Sequence, residues 1–233
     1  MSSDGTRRAF TVWMLDSAGK GADGNWYTTI SRNKIDWMLR KNEKIKKDKD
    51  VVILTAGTPG AFSLTPERRL QLGQNYVDVG IAEEHAVAMA SALAKGGCKP
   101  VFCVWSSFVQ RTYDQLSQDL AINNNPAVIL VFAGAISGMD VTHLGSFDIP
   151  LISNIPNIVC LAPADKEEYL AMLNWGLEQR EHPVVIRVPL EVSSAALPVE
   201  RDYGALNRYQ VVRRGSGVAV LALGSFFGLG RQG

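Results

Sequence analysis

Two adjacent carboxylates, Glu83 and Glu84, stand where a short apolar run gives way to an Ala-rich helical pattern. In an open α/β sheet, ligands bind outside the carboxyl ends of the strands, so carboxylates at such a junction could contact a ligand. The structural alternative is that both side chains complement the positive end of the helix that follows. Spacing alone favours this alternative.

Several other side chains could bind or protonate a small molecule. His143 lies in a Gly-rich loop, where a lone histidine is often only a surface residue. Phe108, at a helix start, is more typical of a core aromatic than of a ligand contact. Arg111 and Arg187 are candidate clamps for a phosphate or a carboxylate, since a guanidinium binds such groups bidentately. For Arg111 an ion pair between helices is the alternative.

The segment Asp78–Ala86, DVGIAEEHA, resembles the DVGIAEQHA segment of the 1-deoxy-D-xylulose-5-phosphate synthases, a family of the transketolase group. The resemblance is continuous over about residues 50 to 190. It indicates the pyrimidine-binding domain of that group more firmly than any one enzyme within it. Further matches follow in order: SSFVQRTYDQ at 106–115 for STFLQRAYDQ, THLGSFD at 142–148 for THQGAFD, and shorter matches at 155–157, 162–165 and 185–189.

The resemblance implies a thiamine diphosphate cofactor and gives roles to the matching residues. Glu83 would hydrogen-bond a ring nitrogen of the aminopyrimidine and favour the imino tautomer, which deprotonates the thiazolium carbon. Phe108 would stack on the pyrimidine face, and Ile81 would also contact the cofactor. His143 would bind or protonate the oxygen of the reaction intermediate. The cofactor performs the carbanion chemistry, while the protein supplies orientation and electrostatics.

Four positions are expected to bind substrate: Arg111, Arg187, Trp105 and Asp140. Trp105 stands where the family has a tyrosine, and Asp140 corresponds to a family aspartate displaced by one residue. His85 also matches the family, but a structural hydrogen-bonding role fits it equally well.

Two arginines of the family are replaced here. Phe132 precedes the Ala-Gly pair where the family has arginine, and Leu190 stands at the second arginine of the family's RYPRG segment. Losing an arginine weakens the grip on a phosphate. The resemblance implies transfer of a two-carbon acyl or ketol unit, as in isoprenoid precursor biosynthesis. Because the two arginines are replaced, a transketolase-like reaction on another sugar is left open.

The family holds the diphosphate and Mg²⁺ through a separate domain with a Gly-Asp-Gly motif and a downstream Asn. The closest text here, Gly21–Gly24, is not that motif, and no octahedral set of oxygen ligands is evident. We therefore expect no metal on this chain, and a homo- or hetero-oligomer with a chain that carries the diphosphate and Mg²⁺ site. A fragment of a longer synthase and a non-catalytic structural or regulatory relative are the alternatives, and the matches at Glu83, Phe108 and His143 argue against the latter.

The elements that must position these residues alternate between strands and helices from Asp50 onward. Several strands are apolar throughout, which indicates burial on both faces. The pattern predicts an α/β fold with three layers, a mostly parallel sheet with helices on both faces, which the resemblance identifies as the thiamine-diphosphate-binding fold. Predicted strands are 51–54, 76–79, 100–104, 128–132 and 184–188; predicted helices are 31–46, 66–73, 83–95, 108–122 and 165–178.

Three regions are expected along the chain. They are an irregular N-terminal segment at 1–27, a transketolase-like pyrimidine-binding domain at 28–195, and a linker with the truncated start of a transketolase C-terminal domain at 196–233. The last region contains strand-like runs at 209–212 and 218–223. Two such strands cannot bury a core of their own.

Composition limits the functional classes. The net charge of +1 gives no overall field that attracts nucleic acid or an acidic membrane. The three cysteines show no CxxC spacing, which favours a reducing compartment and no metal site. No signal-like or membrane-spanning apolar run is present, so a cytoplasmic protein acting on small molecules is expected.

Overall fold

The structure, a computed structural model, describes residues 48–133, 143, 145–188, 203 and 211–231. The predicted helix at 31–46 and Asp140 lie outside these residues. One six-stranded sheet carries the fold, in the order β2-β1-β3-β4-β6-β5, with every described pair parallel. The strands are β1 (Val51–Thr55), β2 (Tyr76–Asp78), β3 (Lys99–Trp105), β4 (Val128–Phe132), β5 (Val159–Leu161) and β6 (Val184–Val188).

Helices connect successive strands on both faces of this sheet. The segment 109–121, called α3 here, joins a 3₁₀ turn (Val109–Thr112), one α-helical turn (Tyr113–Gln115) and a π-helical stretch (Leu116–Ala121). Short 3₁₀ turns occupy Pro59–Phe62, Gly73–Asn75 and Gly224–Phe226. The other helices are α1 (Pro66–Leu72), α2 (Glu83–Lys95), α4 (Asp148–Ser153), α5 (Lys166–Glu178) and α6 (Phe227–Gly230).

Both faces of the sheet are buried, which explains the continuous apolar runs. Along β3, Val101 and Cys103 point into a core with α5, whereas Phe102 and Val104 point into a core with α2, α3 and α4. Alternate residues of a strand face opposite sides, so an apolar residue is required at every position. The predicted three-layer α/β fold is confirmed, with all described strands parallel.

Two predicted helices are confirmed in detail. Helix α2 has the predicted bounds, and Gly97, with φ of 93°, follows its end. Helix α5 begins after Asp165, whose carboxylate accepts a hydrogen bond from the Glu168 amide at 2.8 Å. An N-cap of this type satisfies an amide that has no partner within the helix.

The helix predicted at 108–122 is present, but it is irregular. It contains a π-helical stretch at Leu116–Ala121, and Tyr113 is 41% exposed while Leu116 and Leu120 are buried. The sequence pattern did not predict α4 or β5. A three-residue edge strand with the burial pattern of β5 carries too little apolar signal to be recognised.

The prediction of a strand at 218–223 is wrong. These residues are irregular, and Val218 and Leu221 are largely exposed. A strand requires a neighbour for its backbone hydrogen bonds, and none of the strands within the described ranges pairs with this segment. The described part of the 209–212 run, residues 211 and 212, is not a strand either.

A buried ion pair joins α4 to β6. Arg187 donates to Asp148 through Nε at 2.7 Å and through Nη2 at 3.2 Å. The Asp148 side chain is 1% exposed and that of Arg187 is 11% exposed. The same carboxylate accepts from the Ile149 amide at 2.9 Å. The pair therefore fixes the short helix α4 against the carboxyl half of β6.

A second carboxylate ties the loops at the carboxyl edge of the sheet. Asp78 Oδ1 accepts from the backbone amides of Gly57 and Gly80, each at 2.9 Å. Burial alone would raise the pKa of Asp78, but these two amides, with Thr55 and Tyr76, outweigh it and lower the pKa below 3.8. The turn after β2 is thereby held against the turn after β1.

Asp148→Asn should lower the free energy of unfolding by about 3 kcal/mol, because it leaves the buried Arg187 charge without a counter-charge. Urea unfolding of the variant measures this loss. Asp114→Asn, on the exposed side of α3, is the matched control and should cost little. Equal losses of stability in Asp148→Asn and Asp114→Asn would contradict the stabilising role of the buried Asp148–Arg187 ion pair.

Asp78→Asn should lower the free energy of unfolding by roughly 1 kcal/mol at neutral pH, since charge-assisted hydrogen bonds become neutral ones. The folded-state pKa of Asp78 lies below its ordinary value of 3.8. The carboxylate's contribution is therefore present above pH 3.8 and is lost as pH falls through the folded-state pKa. Urea unfolding at a series of pH values should show the free energies of unfolding of the wild type and Asp78→Asn converging at low pH. A difference that does not depend on pH would contradict the stabilising role of the Asp78 carboxylate.

Candidate functional site

Glu83 is the first residue of α2, at the carboxyl edge of the sheet. The turn between β2 and α2 contains Gly80, whose φ of 73° lies in the left-handed region that glycine adopts without strain. Glu83 is 2% exposed, and its Oε2 has no hydrogen-bond partner. A carboxylate that only complemented the helix end would be expected to stay largely exposed, and the neighbouring Glu84 side chain is 43% exposed. Burial of Glu83 therefore favours a binding role over the helix-end explanation.

Arg111 approaches both acidic residues from the first turn of α3. Its Nη1 lies 3.2 Å from Glu83 Oε2, and its Nη2 lies 3.7 Å from Glu84 Oε1. These are ion-pair distances, although Glu83 Oε2 receives no hydrogen bond of good geometry. The alternative of an interhelical ion pair for Arg111 thus has direct geometric support, and substrate binding by this residue stays a prediction.

Phe108 and His143 are brought together from distant parts of the chain. Their ring centroids are 5.4 Å apart with an interplanar angle of 75°. Phe108 is half-buried and packs against the cores on both faces of the sheet. Such a ring is held firmly by its buried edge, while its exposed part can contact a ligand.

Ile81 presents an aliphatic side chain beside this edge of the sheet. It is 77% exposed, and its Cγ1 would lie 2.9 Å from a Cβ added at Gly57. Gly57, with φ of 70°, therefore permits both the turn after β1 and the close approach of Ile81. An exposed isoleucine in a fixed turn is available to pack against a bound molecule.

The other residues expected to bind substrate are less available for contact with a ligand. Trp105 is 8% exposed and packs in the core at 6.3 Å from the ring of Phe62, so little of its indole reaches solvent. Arg187 already binds Asp148 bidentately. Asp140 lies outside the described residues. Their substrate contacts stay predictions.

Two other histidines are separate from this site. His85 is exposed on the first turn of α2. The Gln179 side chain hydrogen-bonds the backbone of His182. It accepts from the His182 amide at 2.9 Å and donates to the His182 carbonyl at 2.7 Å. This contact gives His182 a structural role at the entry to β6.

Sequence reasoning missed three contributors to the site's geometry: Asp78, Asp148 and the sharing of Arg111 by both glutamates. Asp78 and Asp148 each stand at an end of a matched segment, and Asp78 lies two residues before Gly80, a spacing typical of a side chain that accepts amides of its own turn. The triad of Glu83, Glu84 and Arg111 depends on the packing of α3 against α2, which no local pattern reveals.

This edge of the sheet carries a buried carboxylate that is ion-paired with Arg111 and receives no hydrogen bond at Oε2, a half-buried aromatic ring and an exposed aliphatic side chain. These groups can bind a flat nitrogen heterocycle through one polar and several apolar contacts.

Among the described residues, no three His, Cys, Asp or Glu side chains are grouped to hold a metal ion. Within the same ranges, no helix has the length and apolar character needed to cross a membrane.

Similarity to known proteins extends across this whole sheet. Residues 40–192 match the family model described as transketolase, pyrimidine binding domain. The 1-deoxy-D-xylulose-5-phosphate synthase of Heliobacterium modesticaldum is 37% identical over 189 residues, which are 80% of this chain and 29% of that protein. The synthase of Chlorobaculum tepidum is 39% identical over 181 residues, 77% of this chain and 28% of that protein. The chain thus spans less than a third of the length of these relatives.

Solved structures agree on the fold. Transketolase from Leishmania mexicana aligns with a TM-score of 0.59 at 14% identity, over 71% of this chain and 25% of that one. An inactive β4 tetramer of a split-gene transketolase aligns with a TM-score of 0.56 at 20% identity, over 73% and 53% of the two chains. With more than half of its length matched by one family model, this chain belongs to the transketolase pyrimidine-binding-domain family.

Proposed function

We propose that this chain provides the pyrimidine-binding half of a thiamine-diphosphate-dependent transferase of two-carbon acyl or ketol units, of the 1-deoxy-D-xylulose-5-phosphate synthase type. Residues 28–195 would form that half, and 196–233 would begin the next domain. A second chain or a further domain would supply the diphosphate and Mg²⁺ site. The likeness to a split-gene transketolase supports a separate partner chain.

The observation that carries this proposal is the Glu83 carboxylate, which is buried and has an oxygen without a hydrogen bond. Burying a carboxylate oxygen that receives no hydrogen bond is costly even beside the Arg111 guanidinium, and a bound ligand that donates a hydrogen bond would offset this cost. A ring nitrogen of an aminopyrimidine that shares a proton with this carboxylate would be such a ligand. When bound, the cofactor supplies the nucleophilic carbon.

The neighbouring residues divide the remaining work. Glu83 would orient the pyrimidine and share a proton with its ring nitrogen. Phe108 and Ile81 would cover the apolar face of the ring and exclude water from it. His143, 5.4 Å from Phe108 between ring centroids, would place an imidazole near the reacting atoms, where it can hold or deliver a proton.

A transketolase-like reaction on another sugar is the second candidate, and Phe132 favours it. This residue stands where the synthase family has an arginine, is 6% exposed, and packs 4.9 Å from the ring of Phe62. It cannot bind a phosphate. An acceptor with a phosphate would therefore need a cation elsewhere, such as one from the partner.

Glu83→Gln should lower the turnover rate by about 10²–10⁴-fold, because the amide cannot share a proton with the ring nitrogen. The protein for this test is the complex that the tagged chain brings down from its own host. The measurement is thiamine-diphosphate-dependent carbon–carbon bond formation from a keto acid or ketose and an aldehyde.

Glu181→Gln is the matched control, since Glu181 is largely exposed at the entry to β6. It should retain the wild-type rate. Recovery of the chain without any diphosphate-binding partner or domain, or full activity of Glu83→Gln, would overturn the proposal.

A further inference from the structure

One guanidinium serves two carboxylates at the start of α2. Arg111 lies 3.2 Å from Glu83 and 3.7 Å from Glu84. The turn that carries it is fixed, because Thr112 is fully buried and its hydroxyl donates to the Val109 carbonyl at 2.7 Å. The backbone position from which the Arg111 side chain extends is therefore fixed.

The two carboxylates differ in their access to water. The Glu83 side chain is 3% exposed, whereas those of Glu84 and Arg111 are 43% and 51% exposed. A buried carboxylate without a counter-charge is strongly unfavourable. Arg111 supplies that counter-charge while about half of its own side chain stays exposed, so the pairing avoids the full cost of burying a second ion.

Glu84 adds a negative charge that the resembling family segment lacks, since DVGIAEQHA has glutamine at this position. A neutral amide cannot attract a guanidinium as a carboxylate does. The 3.7 Å contact is long, but it acts on an arginine whose only other ionic partner among the described residues is Glu83. Glu84 thus restrains the arginine beside the buried carboxylate.

We propose that Arg111 and Glu84 are positioning residues for Glu83. Arg111 compensates the charge of the buried carboxylate and keeps it in place before any ligand binds, and Glu84 tethers the arginine there. The inference rests on the proposed function for the identity of the ligand. The charge triad itself is a property of the cofactor-free chain.

Urea unfolding of the full-length chain without cofactor tests the triad. Arg111→Gln should lower the equilibrium constant for folding at least about tenfold, and the loss should largely disappear when Glu83→Gln is also present. Arg111→Lys, which keeps the charge, should retain most of the stability. Arg213→Gln, which removes an exposed positive charge elsewhere, is the control and should change little.

Glu84→Gln should lower the same constant about threefold, and should do so only while Arg111 is present. An equal cost of Arg111→Gln with and without Glu83→Gln would show that the arginine acts by packing, and would overturn the proposal. An unchanged stability of Glu84→Gln would overturn the tether. If Arg111→Gln does not fold, folding of its double variant with Glu83→Gln supports the coupling and failure of both overturns it.

The outcome is separable from that of the proposed function, because no cofactor enters these measurements. If the stability losses are coupled as predicted and Glu83→Gln keeps full activity, only the proposed function is refuted. An uncoupled triad together with an inactive Glu83→Gln enzyme would refute the positioning role alone.

Discussion

Adjacent strands of the sheet are parallel throughout, so their carboxyl ends meet at one edge and their connections must cross the faces as helices. This arrangement buries both faces and leaves that edge as the place where loops from different strands converge. Glu83 follows β2, Phe108 follows β3, and His143 follows β4. Residues far apart in the chain become neighbours because strand order, rather than sequence order, determines their separation.

Carboxylates at this edge are used in different ways. Asp78 accepts two backbone amides and joins two turns, and Asp148 binds a buried guanidinium and fixes a short helix. Glu83 alone among the three is buried with an oxygen that receives no hydrogen bond. Asp78 and Asp148 build the frame, and Glu83 is the carboxylate that we propose recognises a ligand. Arg111 supplies a counter-charge to this carboxylate at a distance of 3.2 Å.

Much of the layered fold could be predicted from the sequence, because apolar runs and helix ends are local signals. The run at 128–132 and the helix at 83–95 have the predicted bounds. The strand predicted at 218–223 failed because an apolar run needs a partner strand that composition does not reveal. The pairing of Arg111 with two glutamates depends on the packing of α3 on α2, and the fixing of Arg187 by Asp148 depends on a helix that was not recognised. Site residues were found through matched motifs, while the contacts that hold them required the three-dimensional arrangement.

The central claim is that Glu83 receives the pyrimidine ring. An experimental structure of the chain with its diphosphate-binding partner, thiamine diphosphate and Mg²⁺ tests it most directly. The account predicts a Glu83 carboxylate oxygen about 2.6–3.2 Å from a ring nitrogen of the cofactor, with Phe108 against the ring. A pyrimidine bound elsewhere, with Glu83 contacting only Arg111, would contradict it.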